Sequence, residues 1–184
     1  MKHLFVINPA AGKGKTLEYV DIIEKYFAGK NDLYFLEITK YPGHGTELVK
    51  QYVSKDTFRV YAIGGDGTVN EVLNGITGSD SSLAVIPSGC GNDYFKSIAK
   101  YSPGKNILEK QVSKDKLLEM LVCGSELTID MGKINDRFFI NIASLGFDAD
   151  VAHNCQKIKN LPFVSGLFAY TLSVFGTLLR YKHH

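Results

Sequence analysis

Apolar runs and helix-period stretches alternate along the first hundred residues, and this alternation constrains the fold more than any other feature of the sequence. Four short apolar runs predict strands: His3–Ile7, Leu33–Thr39, Phe58–Ile63 and Leu83–Ile86. Apolar residues at helical spacing predict helices over Leu17–Phe27, His44–Val53 and Val69–Ile76. Because strands separated by helices of this length pair in parallel, the sequence predicts an α/β fold with a parallel sheet covered on both faces.

The pattern changes near Ser125, after which two strand candidates follow one another without a helix between them. Leu127–Ile134 and Phe138–Ala143 flank the turn dipeptide Asn135-Asp136, which is typical of a β-hairpin. We therefore expect an α/β domain at residues 1–124, with a connecting helix around residues 106–121. Residues 125–184 are expected to hold the start of an antiparallel β second domain and a long C-terminal helix. Since two strands have too little surface to bury, this second domain is expected to be incomplete.

Residues Leu161–Leu179 contain no charged side chain, and their length is within the range of a membrane span. Pro162, Gly166, Gly176 and several hydroxyl residues dilute the hydrophobicity of the segment. The sequence favours a buried helix, or a helix that packs at an interface, over a true span.

Composition excludes several classes of protein. Apolar residues make up 45% and charged residues 22% of the 184 residues, which is typical of a chain with a buried core. The formal net charge of +2 gives no basic field that would predict a nucleic-acid partner. Cys90, Cys123 and Cys155 have no C-x-x-C spacing, which argues against a disulfide framework or a zinc site and favours a reducing cytoplasm.

Three glycine-rich segments each follow a predicted strand and precede a helix, where ligands bind in open α/β sheets. The first, Asn8-Pro9-Ala10-Ala11-Gly12, runs into Gly14-Lys15-Thr16 and resembles a Walker A loop, but Pro9 stands where that pattern needs glycine. A plain strand-to-helix turn stays an alternative for this segment.

The second segment runs from Gly64 to Glu71 and contains Gly64, Gly65 and Gly67, which allow a ligand to approach the backbone. Asp66 would repel a phosphate alone but suits one bridged by a cation such as Mg²⁺. The third segment, Pro87 to Asp93, contains Gly89, although Asn92 or Asp93 could simply cap a helix. Together the three segments predict a site for a phosphorylated ligand.

The same residues resemble the diacylglycerol kinase catalytic-domain family, especially its bacterial lipid kinases. Asn8–Gly12 matches the family's N-P-x-x-G, and residues 64–75 match its G-G-D-G-T-x-N-E-V-x-N-G. Ile86–Asp93 corresponds to I-P-x-G-T-x-N-D, and Asp130-Met131-Gly132 with Phe139 and Asn141 resembles the opening of the family's second domain. The resemblance implies an NAD kinase/diacylglycerol kinase-like nucleotide-binding domain, of which this chain is expected to be an N-terminal portion.

By this resemblance, ATP would bind in the cleft beside the three segments, with Mg²⁺ at Asp66. The implied ligand-binding residues are Asn8, Pro9, Ala10, Ala11, Gly12, Thr39, Gly64, Gly65, Asp66, Gly67, Thr68, Asn70, Glu71, Gly89 and Cys90. Cys90 replaces the family's threonine, and a thiol is a weaker donor than a hydroxyl. Thr39 could equally be an ordinary strand residue, and Lys13 and Lys15 could be solvated lysines or supply positive charge.

The implied function is an ATP-dependent lipid kinase that transfers the γ-phosphoryl group to a lipid hydroxyl such as that of diacylglycerol. Its catalytic base is expected beyond residue 184. Two alternatives stay open: an NAD-kinase-like kinase of a soluble substrate, and a truncated or degenerate nucleotide-binding protein without turnover. The expected partners are ATP, a lipid at the membrane surface and a second copy of the chain, with no nucleic acid, at a cytoplasmic or peripheral membrane location.

Overall fold

The computed structural model of the chain describes residues 1–89, 91–99, 112–159 and 166–180. The chain divides into two compact units, Met1–Asn141 and Ile142–His184. The hairpin near residue 135 therefore lies in the first unit. The domain boundary expected between residues 124 and 125 stays a prediction.

A four-stranded parallel sheet forms the centre of the first unit. Its strands are β1 (Lys2–Ile7), β2 (Leu33–Ile38), β3 (Arg59–Gly64) and β4 (Ser82–Pro87), in the order β2-β1-β3-β4. The inner strands are the apolar ones: residues 4–7 of β1 and all of β3 are buried. The predicted parallel α/β sheet is confirmed.

Helices cover both faces of this sheet. On one face, α1 (Glu18–Phe27) and α5 (Lys114–Cys123) bury Ile23, Phe27 and Leu118 against the sheet. On the other, α2 (His44–Val53) and α3 (Asp66–Ile76) bury Val49, Val69 and Val72. A 3₁₀ segment, Ala11–Leu17, precedes α1, and α4 (Asp93–Ala99) follows the third glycine-rich segment. The connecting helix expected from residue 106 is seen as α5; residues 106–111 lie outside the described part.

The predicted hairpin is present, but both strands are shorter than expected. β5 (Gly132–Ile134) and β6 (Arg137–Phe139) pair antiparallel, and Asn135 has φ 52°, as a tight hairpin turn requires. The extensions predicted at Leu127–Met131 and Ile140–Ala143 are wrong. Leu127 and Ile142 are 70% and 79% exposed, because no strand in the described residues pairs with these segments.

The second unit contains two helices, α6 (Phe147–Lys159) and α7 (Gly166–Arg180). Asp148 and Asp150 lie in the first turn of α6, where negative charge is favourable. Asn154 of α6 donates a hydrogen bond to the Thr177 hydroxyl of α7 at 2.9 Å. α7 covers residues 166–179 of the apolar stretch 161–179 and ends one residue beyond it, at Arg180; residues 161–165 are outside the described part. No helix in the described ranges has the length and apolar character needed to cross a membrane.

Candidate functional site

The three glycine-rich segments meet at the carboxyl end of the sheet. The Asn8 side chain donates to the Thr68 hydroxyl at 3.0 Å, which joins the first segment to the second. The main-chain N–H of Ser88 donates to the Gly64 carbonyl at 2.8 Å, which joins the third to the second. A Cβ atom on Gly65 would lie 3.2 Å from the Gly89 Cα, so the backbones are in contact. The topology therefore brings the three predicted segments to one place.

The first segment forms a tight loop held from inside. Gly12, Lys13 and Gly14 all have positive φ, a region in which non-glycine residues are uncommon. The Thr16 hydroxyl, fully buried, donates to the Asn8 carbonyl at 2.8 Å, and Asn8 Oδ1 accepts the Ala10 N–H at 3.0 Å. Thr16 thus closes the loop instead of facing a phosphate-bound metal, which agrees with the interpretation that this is not a Walker A loop.

Asp66 organises the third segment. Its two carboxylate oxygens accept the main-chain N–H groups of Asn92 at 2.9 Å and Asp93 at 2.8 Å, where α4 begins. A negative charge is favourable at a helix N-terminus, so Asp66 caps a helix that is distant in sequence. A Cβ on Gly91 would lie 2.6 Å from an Asp66 oxygen and 3.3 Å from an Asp93 oxygen. Only glycine therefore fits between these two carboxylates.

The third segment is folded around Asn92. The Asn92 side chain accepts the Gly89 N–H at 2.9 Å and donates to the Gly89 carbonyl at 2.8 Å, and its own φ is 53°. Asn92 therefore shapes the loop, while the N-cap position of α4 is served by Asp66. Cys90, which the sequence placed in the ligand site, lies outside the described residues.

Glu71 accepts hydrogen bonds from the N-terminal end of α2. Its carboxylate accepts the N–H groups of Gly43 at 2.9 Å and Gly45 at 3.0 Å, and its carbonyl accepts the Thr46 hydroxyl at 2.8 Å. Thr39 is 8% exposed, and its main-chain N–H continues the sheet bonding to the Ile7 carbonyl at 2.9 Å. The described contacts of both residues are structural.

Asn70 and Asn74 hold the hairpin. Asn74 accepts the Phe138 N–H at 2.9 Å and donates to the Phe138 carbonyl at 3.0 Å, so that its amide pairs with β6 as a neighbouring strand would. Asn70 donates to the same carbonyl at 3.1 Å and accepts from the Arg137 guanidinium at 3.0 Å. No sequence pattern signals this docking, since an asparagine after a glycine-rich loop is equally typical of a ligand contact.

The glycines of the second segment and of the rest of α3 fall into two groups. At Gly64 a Cβ would lie 2.3 Å from the Thr68 hydroxyl oxygen, and at Gly75 it would lie 2.6 Å from the Val49 Cβ. Gly67, in contrast, meets no atom within 4 Å, although it lies in the first turn of α3. Packing within the described residues explains Gly64 and Gly75 and leaves Gly67 unexplained.

The site offers oxygen ligands for one divalent cation. The described residues contain no cluster of three or more acidic, His or Cys side chains that could hold a metal alone. The carboxylates of Asp66 and Asp93 do both approach Gly91, and carboxylate oxygens are suitable for Mg²⁺, which often takes one or two carboxylates together with substrate phosphates. Each carboxylate oxygen has more than one lone pair, so the bonds to Asn92 and Asp93 leave acceptor capacity on Asp66.

The chain matches a known protein family. The family model "Diacylglycerol kinase catalytic domain" matches residues 2–134. The chain therefore belongs to the diacylglycerol kinase catalytic domain family, and the resemblance inferred from its motifs is confirmed.

Individual relatives match over most of this chain. A diacylglycerol kinase of Bacillus subtilis is 28% identical over 170 residues, 91% of this chain and 52% of that protein. A diacylglycerol kinase of Staphylococcus saprophyticus is 29% identical over 183 residues, 96% of this chain and 55% of that protein. A solved structure of a candidate diacylglycerol kinase from Bacillus anthracis is 29% identical, with a TM-score of 0.57, covering 76% of this chain and 48% of that one. The chain thus spans about half the length of the curated relatives it matches.

Proposed function

We propose that this chain forms the ATP-binding part of a lipid kinase, which transfers the γ-phosphoryl group of ATP to a lipid hydroxyl such as that of diacylglycerol. The observation that supports this most directly is Gly67. Glycine in a helix costs about 1 kcal/mol relative to alanine, and no neighbouring atom in the described residues requires it there. A ligand that approaches the start of α3 closely is the explanation we favour.

The ATP phosphates would lie against the N-terminus of α3, where unpaired N–H groups and the helix dipole attract anions. The first segment, Asn8–Gly12, and the backbones of Gly65 and Gly89 would border them. Asp66, Asn92 and Thr16 would keep these loops in the shape that the phosphates require. Phosphoryl transfer depends mainly on such positioning and on charge stabilisation.

Asp66 and Asp93 are the residues that would hold Mg²⁺. When bound, the ion would neutralise negative charge on the phosphates. The hydroxyl proton of the acceptor needs a base, and the family resemblance implies that this residue lies beyond position 184. The phosphoryl transfer would take place on the cytoplasmic side of the membrane surface, where the lipid acceptor is.

A glycine-to-alanine pair tests the nucleotide site. Gly67→Ala puts a methyl group into open space, so we expect folding to be retained or slightly stabilised, while Mg·ATP affinity measured by calorimetry falls at least tenfold. Gly176→Ala is the matched control, because Gly176 also lies inside a helix with no atom within 4 Å of its would-be Cβ. Equal affinities in both variants would refute the proposed phosphate site.

The acceptor needs its own assay. With radiolabelled ATP, we expect a label on diacylglycerol in mixed micelles and none on NAD. If the 184-residue chain turns over slowly, the assay is repeated with a protein extended to the full length of the relatives. A label on NAD would favour the kinase of a soluble substrate. ATP binding without any labelled product would favour a nucleotide-binding protein without turnover.

A further inference from the structure

Lys114, the first residue of α5, binds the end of the loop that contains the first glycine-rich segment. Its ammonium group donates to the Lys15 carbonyl at 3.1 Å and to the Glu18 carboxylate at 2.6 Å. The same group lies 5.0 Å from the centroid of the Tyr19 ring. Lys114 and Lys15 are 99 residues apart in the sequence. One side chain of α5 therefore contacts both the loop and the turn that follows it.

The position of Lys114 is set by α5 itself. The Ser113 hydroxyl accepts the main-chain N–H of Lys116 at 3.3 Å and so caps the helix. Leu117 and Leu118 are buried in the apolar cluster on the face of the sheet that α1 covers. The ammonium group thus comes from a helix that is fixed by its own cap and its own buried side chains.

The loop that Lys114 contacts has an unfavourable backbone. Lys13 has φ 55° and ψ 40°, in the left-handed region that non-glycine residues occupy at a cost in energy. Gly14 next to it has φ 85°. A Cβ atom on Gly12 would lie 3.0 Å from the Ser88 carbonyl oxygen, so the loop closely approaches the third segment. A change in the shape of residues 12–15 would therefore alter the site where the segments meet.

We infer that Lys114 is a positioning residue for the nucleotide site, which acts through the Lys15 carbonyl to keep residues 12–15 in the shape that the ATP phosphates require. This inference rests on the proposed function. The Thr16 hydroxyl joins the two ends of the loop from inside, through the Asn8 carbonyl. Lys114 holds the stretch between these ends from the solvent side. Without it, residues 12–15 would relax away from the phosphates while the sheet stays folded.

Calorimetric titration of the 184-residue chain with Mg·ATP tests the inference. Lys114→Met keeps an apolar stem and removes the charged donor, so we expect the dissociation constant to rise about fivefold to tenfold with unchanged circular dichroism. Lys116→Met is the matched control, because it removes the same charge from the same helix and its partner, Glu119, also lies on α5. Equal dissociation constants in the two variants would overturn the inference.

A conservative variant and a double variant separate positioning from simple attraction of ATP by charge. Lys114→Arg retains a permanent charge and several donors, so we expect an affinity within about twofold of the wild type. Gly14→Ala strains the loop without a clash, since no atom lies within 4 Å of the added Cβ. In that background Lys114→Met should cost less than in the wild type, because both changes act on one loop. Fully additive losses would contradict the inference.

Amide NMR gives a measurement that needs no nucleotide. Without ATP, Lys114→Met should shift the amide signals of Gly12 and Gly14 and leave that of Gly67 in place, while Lys116→Met should shift none of the three. Unchanged loop signals in Lys114→Met would overturn the inference. If the wild type binds Mg·ATP and Lys114→Met binds it as tightly, this inference alone falls. If the wild type does not bind Mg·ATP, the proposed function falls and this inference with it.

Discussion

The two ends of the four-stranded sheet both contain buried or half-buried polar side chains, but these groups have different partners. At the carboxyl end, Asp66 and Glu71 accept main-chain N–H groups from loops and helix starts. At the amino end, Arg59 is 8% exposed and donates to the carbonyls of Leu121 and Val122 and to Glu126. The contacts at the carboxyl end fix the shape of loops around open space beside α3. The contacts at the amino end join secondary-structure elements to one another.

We expect from this difference that stability depends mainly on one end of the sheet and ligand binding on the other. At the amino end the polar groups bind one another, so their removal should lower the free energy of unfolding without changing ATP affinity. At the carboxyl end the same kind of group fixes loop geometry, so its removal should change ATP affinity by more than the loss of stability would suggest. Each of the following predictions tests one side of that contrast.

Arg59→Met should have the largest effect on stability. The substitution removes the guanidinium group that donates to two carbonyls and to Glu126. These contacts, at 2.7 to 3.3 Å, are part-buried. Leaving such acceptors without a partner should cost about 2–4 kcal/mol, measured by urea denaturation. ATP affinity of the folded variant should be unchanged.

Lys116→Ala is the control for that variant. It removes an exposed ion pair with Glu119 on α5, which should contribute little to the free energy of unfolding because water screens it. If Arg59→Met costs no more than this control, the amino end is not the stabilising network that the contacts indicate.

Asn74→Ala should release the hairpin at a cost of about 2 kcal/mol, since both main-chain groups of Phe138 lose a partner. We expect amide hydrogen exchange at Phe138 to accelerate more than exchange in β3. Asn154→Ala, which loses one side-chain bond to Thr177 in the second unit, should leave exchange at Phe138 as it was. Unchanged protection of Phe138 in Asn74→Ala would show that β5 and β6 hold without α3.

Asp66→Asn should cost only about 1 kcal/mol of stability, because the amide keeps one acceptor for the N–H groups of Asn92 and Asp93. Its effect on binding is expected to be larger, and to depend on the metal. If Asp66 holds Mg²⁺, the affinity for Mg·ATP falls more than that for ATP without metal. Equal losses would mean that Asp66 acts only through the shape of the third segment.

Sequence patterns predicted the elements whose formation depends on local chemistry. The buried strands β1 and β3 are continuous apolar runs, and the Asn135-Asp136 turn needs a residue that tolerates positive φ. The hairpin strands were predicted too long because strand length depends on pairing partners, which the residues of a single strand do not specify.

The roles of individual polar residues were harder to predict. A carboxylate in a glycine-rich loop looks the same in sequence whether it binds a cation or caps a helix, and Asp66 and Glu71 are separated by 26 to 28 residues from the amides they accept. Arg59 and Glu126 are 67 residues apart, and neither lies in a motif. Partners at such distances follow from the sheet order β2-β1-β3-β4, which periodicity alone does not determine.

His3 should produce the smallest effect, visible only below neutral pH. Its ring is 2% exposed and lies 2.9 Å from the Tyr61 hydroxyl. Burial, together with the N-terminal amine and Arg59, lowers the pKa of His3 below its ordinary value of 6.5, and Asp32 opposes this only in part. The unfolded chain therefore binds a proton on His3 at a higher pH than the folded chain does.

The sign of the pH dependence follows from that shift. Above the ordinary pKa both states are neutral at His3 and stability is constant; as the pH falls through 6.5 the unfolded state gains a proton and stability decreases until the folded pKa is passed. We expect the free energy of unfolding to decline between about pH 7.5 and pH 5.5 in the wild type, and to decline less in His3→Phe. His153→Gln, at an exposed position of α6, is the control for the loss of a histidine outside the sheet. Identical slopes in all three proteins would show that His3 is protonated as easily in the folded chain as in the unfolded chain. The polar network at the amino end of the sheet would then be more accessible to protons than its contacts indicate.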